Sequence, residues 1–194
     1  MEPPPAHAGF DAAMRVDWLA AAELGDANPG RLGLTFLPGK RGASARYAGH
    51  TYRRDAAQDL AALHAQGVRT LILLVEDAEL ARWGDPELMV LSERAGVRLV
   101  RFPIPDGGAP DVGTMAQIQE TVRSARAAGD VAVACLGGVG RTGLVASCAL
   151  VEAGRSAPEA IRRVREVRHP FAVETEVQEQ LVLAWELRQR RDLP

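Results

Sequence analysis

The chain has 194 residues, 47% of them apolar, with 23 Lys and Arg against 25 Asp and Glu and a formal net charge of -2. That length suits one α/β domain with a sizeable core and is short for two. The balance leaves no basic excess for nucleic acid, no apolar run of about 18 residues spans a bilayer, and two cysteines make no disulfide framework.

Residues 1–9, with three consecutive prolines, are predicted to be a disordered or extended tail, leaving 10–194 as a single domain. The start, Met-Glu-Pro-Pro-Pro, lacks the basic and then apolar pattern of a secretory leader, so a reducing cytoplasm is the expected compartment. Met14 to Leu19 alternates enough for a short strand with Trp18 packing. Arg31 to Leu37 reads as a second strand, ended by the turn signal Pro38-Gly39. Lys40 to His50 is polar and Gly-rich, which predicts a surface loop near which a ligand could pass. The spacing of Leu60 and Leu63 predicts a helix over Tyr52 to Gln66, stopping at Gly67, with His64 part-exposed and satisfied within it.

Thr70 to Val75 is an apolar run of strand length. Glu76 and Asp77 follow it as solvated or capping acids, ahead of short helices over Glu79–Trp83 and Pro86–Ala95. Val97 to Ile104 is the next strand and leads into Pro105-Asp106-Gly107-Gly108. A helix over Met115–Ala128, a strand over Val131–Leu136 and a helix over Arg141–Ala153 come next. Ser156-Ala-Pro-Glu159 opens another helix with a good cap, running to Arg168. Its Arg162, Arg163 and Arg165 lie on polar faces, either solvated or forming a shallow anion-attracting rim. The last helix, Glu174–Arg190, puts Leu181 and Trp185 on one core stripe. Alternating strands and helices imply a mostly parallel central sheet covered on both faces.

The chemistry concentrates at Val131-Ala-Val-Ala-Cys-Leu-Gly-Gly-Val-Gly-Arg-Thr-Gly143. A strand, a glycine loop and a helix in that order place backbone N–H groups at a helix N-terminus, where an anion binds well. Between Cys135 and Arg141, the residues Leu136, Gly137, Gly138, Val139 and Gly140 can curl into one cup. The sulfur would form its floor and the guanidinium fork would hold two phosphate oxygens. A thiol so placed, beside a helix N-terminus and a guanidinium, is a candidate nucleophile. The Thr142 hydroxyl could donate to that sulfur as it leaves. Gly138-Val-Gly140-Arg-Thr-Gly143 also satisfies a dinucleotide fingerprint, but a helix follows where that fold needs a strand. A Walker A loop fails at Cys135 and Arg141. Cys148, about two turns into the helix, is too far from Cys135 for a strain-free bridge and reads as core.

Cys135-Leu-Gly-Gly-Val-Gly-Arg-Thr-Gly143 resembles the signature loop of the cysteine-dependent protein tyrosine phosphatase superfamily. The likeness is nearest to its dual-specificity branch, typified by the cyclin-dependent-kinase-associated phosphatase. Val16-Asp-Trp-Leu19, Gly33-Leu-Thr-Phe-Leu-Pro-Gly39, Ile104-Pro-Asp-Gly-Gly-Ala-Pro-Asp111 and Leu144-Val-Ala-Ser-Cys148 carry the likeness in order, over roughly Val16 to Glu186. The resemblance implies a phosphocysteine mechanism on a phosphorylated protein or peptide. Phosphate, sulfate or vanadate would fit the loop, with neither metal nor other cofactor and no nucleic-acid or membrane partner.

It also implies Asp106 as general acid, in a Pro-Asp-Gly-Gly loop flexible enough to swing over the cup. Asp111, close by, is the reserve candidate and reads as a helix cap. Ala172-Val-Glu-Thr-Glu-Val-Gln178 is similar to the family's water-positioning Gln-Thr-x-x-Gln segment. Thr175 and Gln178 match there, and Glu174 replaces the first Gln. Family members usually carry His before the cysteine, where this chain has Ala134. Ala134 and Glu174 together keep a phosphate-binding module of low turnover as the alternative. A rhodanese-type sulfurtransferase also uses a cysteine cup but needs neither the Arg-Thr-Gly exit nor the Asp loop.

Overall fold

Strict alternation along the central strand decides which side chains reach the site. The computed structural model describes residues 13–44, 49 and 51–191. The expected tail at residues 1–9 lies outside these, as do residues 45–48 and 50 of the expected Lys40–His50 loop.

The order is β1 (Asp17–Leu19), β2 (Leu32–Phe36), β3 (Arg41–Ala43), β4 (Thr51–Arg53), α1 (Ala56–Ala65), β5 (Val68–Leu73), α2 (Asp77–Trp83) and α3 (Leu88–Arg94). Then come β6 (Arg98–Arg101), α4 (Val112–Arg126), β7 (Asp130–Cys135), α5 (Gly140–Glu152), α6 (Ala157–Val167) and α7 (Glu176–Arg191). The main sheet runs β1-β2-β7-β5-β6. Only β1 is antiparallel to its neighbour, so the mostly parallel α/β sheet expected from the sequence is present.

In β7, at the centre, Val131, Val133 and Cys135 belong to the apolar layer formed with α4, α5, α6 and α7. Ala132 and Ala134 belong to the opposite layer, with α1 and α3. This is the period-2 alternation of a strand covered on both faces. It sends the Cys135 side chain towards α5 and that of Ala134 away from it.

Among the boundaries that differ from expectation, three have a local reason in the hydrogen bonding. Arg41–Ala43 is a strand within the expected loop, paired antiparallel with Thr51–Arg53. Tyr52 is therefore extended, and α1 starts only after Asp55, whose carboxylate caps it by accepting from Gln58 N at 2.9 Å. α4 starts three residues early because Asp111 accepts from Thr114 N at 2.9 Å, a cap that draws the chain into helix at once. α6 opens on the expected capping box, Ser156 with Glu159.

A buried ion pair, Arg54 with Asp59 at 2.6 Å, fastens the β3–β4 hairpin to α1, and Asp59 also accepts from Gly39 N at 2.8 Å. Trp18 packs across Gly33 and lies beneath the Arg31 guanidinium, 4.0 Å from its ring centre. Among the described residues no helix is long and apolar enough to cross a membrane.

Candidate active site

The C-terminal ends of the parallel strands gather one loop, one helix start and two outer segments. Cys135 ends β7, and its buried Sγ accepts from Gly138 N at 3.2 Å, so the loop curls back over the sulfur. Gly138 has φ +67, and a Cβ there would stand 2.3 Å from the Thr35 carbonyl oxygen; only glycine fits. α5 begins at Gly140 and aims its first N–H groups at the same space, the anion-binding geometry of a helix N-terminus. Val139 and Gly140 are buried, Leu136 is half-buried, and Gly137 stands open at the rim.

Arg141 is 1% exposed and heavily partnered. Its Nη1 and Nη2 donate end-on to the Glu79 carboxylate at 2.6 and 2.7 Å, Nη1 also to the Ile104 carbonyl at 2.8 Å, and Nη2 to Asp106 Oδ1 at 2.9 Å. Nε is buried without a partner. The Nε–Nη2 edge is thus the side of the fork that can take two phosphate oxygens, once the exposed Asp106 contact yields. Burial pushes the Arg141 pKa down, but Glu79, Cys135 and Asp106 outweigh it and the net shift is upward. For Glu79 burial pushes the pKa up, while hydrogen bonds from Arg141 and from Glu76 N hold it below the ordinary carboxylate value.

A second cation holds the loop from behind. Arg168, closing α6, donates to the Gly138 carbonyl at 2.7 Å and pairs with Asp17 of β1 at 2.7 Å. The third support comes from the start of α7. Thr175 Oγ1 donates to the Gly107 carbonyl at 2.8 Å, and Gln178 Nε2 to that of Gly108 at 3.1 Å. Gln178 Oε1 accepts from Glu174 N at 2.9 Å. Just before them Val173 takes φ +61, a left-handed conformation costing a β-branched residue about 1–3 kcal/mol. Arg165 grips the carbonyls on both sides of this kink, Ala172 at 3.0 Å and Val173 at 3.2 Å, and pairs with Glu179.

The structure therefore brings Cys135, Leu136–Gly140, Arg141, Asp106, Glu174 and Gln178 together around one cup. The Glu174 carboxylate presses on the loop, 2.3 Å from where a Gly140 Cβ would stand. Three expectations change. Thr142 Oγ1 is buried without a hydrogen-bond partner, so it makes no bond to the sulfur, because it lies on the first turn of α5 and packs inward. The Asp106 loop does not hang free but is tied to α7. Arg163 and Arg165 are not simply solvated: Arg163 pairs with Glu23 at 2.7 Å, and Arg165 holds the kink.

Glu79, Arg168 and Asp17 were missed by sequence reasoning, and Thr175, which matched the water-positioning segment, instead bonds the acid loop. Glu79 carried one signal: an acid at the first turn of a helix that follows a parallel strand stands on the ligand side of the sheet. Asp111 is the α4 cap, its carboxyl pKa lowered by the Thr114 N–H and hydroxyl. Cys148 is buried in the core, its thiol pKa pushed up by that burial, and both cysteines are free thiols. Among the described residues no three His, Cys, Asp or Glu side chains gather as a metal site would need.

A family model described as cyclin-dependent kinase inhibitor 3 matches residues 9–160, a span that ends before Arg168 and the α7 clamp. Cyclin-dependent kinase inhibitor 3 of Rattus norvegicus is 29% identical over 165 residues, covering 84% of this chain and 74% of that protein. The Homo sapiens protein of the same name is 27% identical over the same shares. Among solved structures, a kinase-associated phosphatase with serine substituted for its catalytic-site cysteine superposes with a TM-score of 0.80 and 25% identity. That match covers 94% of this chain and 99% of the other. The active form of Tk-PTP gives 0.65 and 30% identity, over 82% and 93%.

Proposed function

The chain belongs to the cyclin-dependent kinase inhibitor 3 family, and from that premise we propose that it is a cysteine-dependent phosphatase of phosphotyrosine or phosphoserine/threonine in proteins, working in a reducing compartment. The observation that carries the proposal is the pairing of Cys135 and Arg141 across one cup: the sulfur faces the Gly138 N–H, and the guanidinium offers its Nε–Nη2 edge to an oxyanion once Asp106 yields Nη2. In the first step the Cys135 thiolate forms a bond to phosphorus as the P–O bond to the substrate breaks. Asp106 gives its proton to the departing oxygen. In the second step Asp106, now a carboxylate, takes a proton from water, whose oxygen displaces the sulfur and releases phosphate. Arg141 and the α5 N-terminus hold the equatorial oxygens through both steps.

The second reading is a phosphate-binding module of low turnover. It is favoured by the carboxylate of Glu174 lying against Gly140, where it repels a phosphoryl group. Hydrolysis of para-nitrophenyl phosphate separates the two. The enzyme should turn it over with inhibition by vanadate; Cys135→Ser should abolish turnover while still binding vanadate, and Cys148→Ser should leave it nearly intact. Vanadate binding by a wild type that does not turn over would establish the module, and equal losses in both cysteine variants would refute the nucleophile.

A further inference from the structure

The segment similar to a water-positioning motif makes bonds of another kind. The turn that carries Asp106 closes on itself through Gly108 N donating to the Pro105 carbonyl at 2.8 Å. The two carbonyls that follow Asp106 both point to the start of α7. Gly107 O accepts from Thr175 Oγ1 at 2.8 Å, and Gly108 O accepts from Gln178 Nε2 at 3.1 Å. The Gln178 side chain is wholly buried, and both ends of its amide are engaged, the oxygen by Glu174 N and the nitrogen by Gly108. An amide so fixed is a strut between α7 and the acid loop. Thr175 sits at the other end of that strut, its methyl 3.6 Å from where a Gly107 Cβ would stand.

Taking Asp106 as the general acid of the proposed reaction, we propose that Thr175 and Gln178 are positioning residues for the acid loop, setting where Asp106 delivers its proton. Asp106 needs such help. Its side chain is 74% exposed, and its one hydrogen bond recorded among the described residues comes from Arg141, a group that must also serve the phosphate. A general acid works only with its proton within hydrogen-bond reach of the leaving oxygen. The two α7 bonds fix the backbone on the C-terminal side of Asp106, and the strained Val173 turn, gripped by Arg165, aims the donors.

A defect in this clamp acts on the step in which the Sγ–P bond forms, the substrate P–O bond breaks and the Asp106 proton passes to the leaving oxygen, as well as on the second step, in which Asp106 is the base. A residue that only positions water acts on the second step alone, so its loss lowers kcat and leaves kcat/KM unchanged on every leaving group. The test is Thr175→Val, which keeps the shape and removes the donor, measured on a series of aryl and alkyl phosphates. Its kcat/KM should fall about tenfold on alkyl phosphates and less than twofold on leaving groups acidic enough to need no proton. That is a part of the ~10²–10⁴ that general acid catalysis is worth and that Asp106→Ala would lose. Vanadate inhibition should be unchanged, and Thr175→Ser should restore the wild-type pattern.

Thr175 Oγ1 also lies 3.4 Å from Gln178 N at the start of α7, so thermal unfolding is measured alongside. Thr175→Ala is used instead if the Thr175→Val variant does not fold. A lower kcat and a new burst with kcat/KM unchanged on every leaving group would assign these residues to the water and overturn the proposal. So would weaker vanadate inhibition, or rates unchanged on every substrate. Failure of the phosphatase reading itself would look different: a wild type inactive on the whole series.

Discussion

Replacing Glu79 with Gln tests whether the buried carboxylate aims Arg141. Glu79 is 13% exposed at its side chain and Arg141 1%, and their end-on pair is bidentate at 2.6 and 2.7 Å. Removing one partner of such a buried pair costs about 3–5 kcal/mol, because the other charge stays buried. The Gln side chain keeps one oxygen acceptor, and Asp106 with the Ile104 carbonyl still meets part of the guanidinium, so the expected loss is about 2–3 kcal/mol. For a chain of this size that corresponds to a Tm lower by about 4–12 °C.

Vanadate should also bind more weakly to the E79Q variant, by roughly tenfold, since the fork is no longer held with its Nε–Nη2 edge free. The pH dependence gives a further arm. The Glu79 carboxyl is held below its ordinary value of 4.5 in the folded protein. Its stabilisation is therefore fully present above that value and is lost as pH falls through the lower folded-state pKa. The stability gap between wild type and E79Q should be constant from neutrality down to about pH 5 and should shrink below that. Differential scanning calorimetry and vanadate titration measure both. An unchanged Tm together with unchanged vanadate affinity would refute the argument.

Glu174→Gln should raise kcat and shrink any pre-steady-state burst in stopped-flow with para-nitrophenyl phosphate. A carboxylate ~6 Å from the phosphoryl group at an effective dielectric near 20 opposes each unit of negative charge by about 3 kcal/mol, partly offset by Arg141. A slower variant with its burst unchanged counts against that repulsion. Arg168→Met, which takes the guanidinium off the Gly138 carbonyl, should weaken vanadate inhibition and lower kcat/KM about tenfold on every leaving group alike, with Arg168→Lys intermediate. A loss confined to poor leaving groups would mean that Arg168 acts on the acid loop instead.

Much of the fold was legible because it rests on periodicity. Thr70–Val75 and Val131–Leu136 are apolar runs that only a sheet covered on both faces can bury, and they form its centre. Ser156 with Glu159 and the cap at Asp111 follow local chemistry that short sequence windows contain. The misjudged stretch, Lys40 to Tyr52, failed for the complementary reason. β3 and β4 are three residues each, too short for a pattern, and they are fastened by a pair that joins the hairpin to the next element, Arg54 with Asp59 of α1. The cup itself was readable because Cys135 to Arg141 is one contiguous loop whose glycines and fork are adjacent in the chain.

What surrounds the cup was not contiguous, and it consists of charges whose partners lie far away in sequence. Arg141 meets Glu79 from 62 residues upstream, and Arg168 meets Asp17 across 151. From sequence alone Glu79 and Arg168 resemble the charged positions of any solvated helix end, and Asp17 those of an exposed strand, since nothing local shows that their partners are buried. The energetics explain why such pairs occur here. A buried ion pair contributes little net stability relative to apolar residues of the same volume, yet breaking it is costly. It therefore suits a place where a side chain must keep one orientation. At the cup, Glu79 fixes the direction of the Arg141 fork, Asp17 fixes Arg168, and Arg168 fixes the carbonyl of Gly138, whose N–H faces the sulfur. On the opposite face of β7, Ala134 offers no polar group to do the same. The loop is held from the α6 side, by a residue that only the folded chain brings within reach.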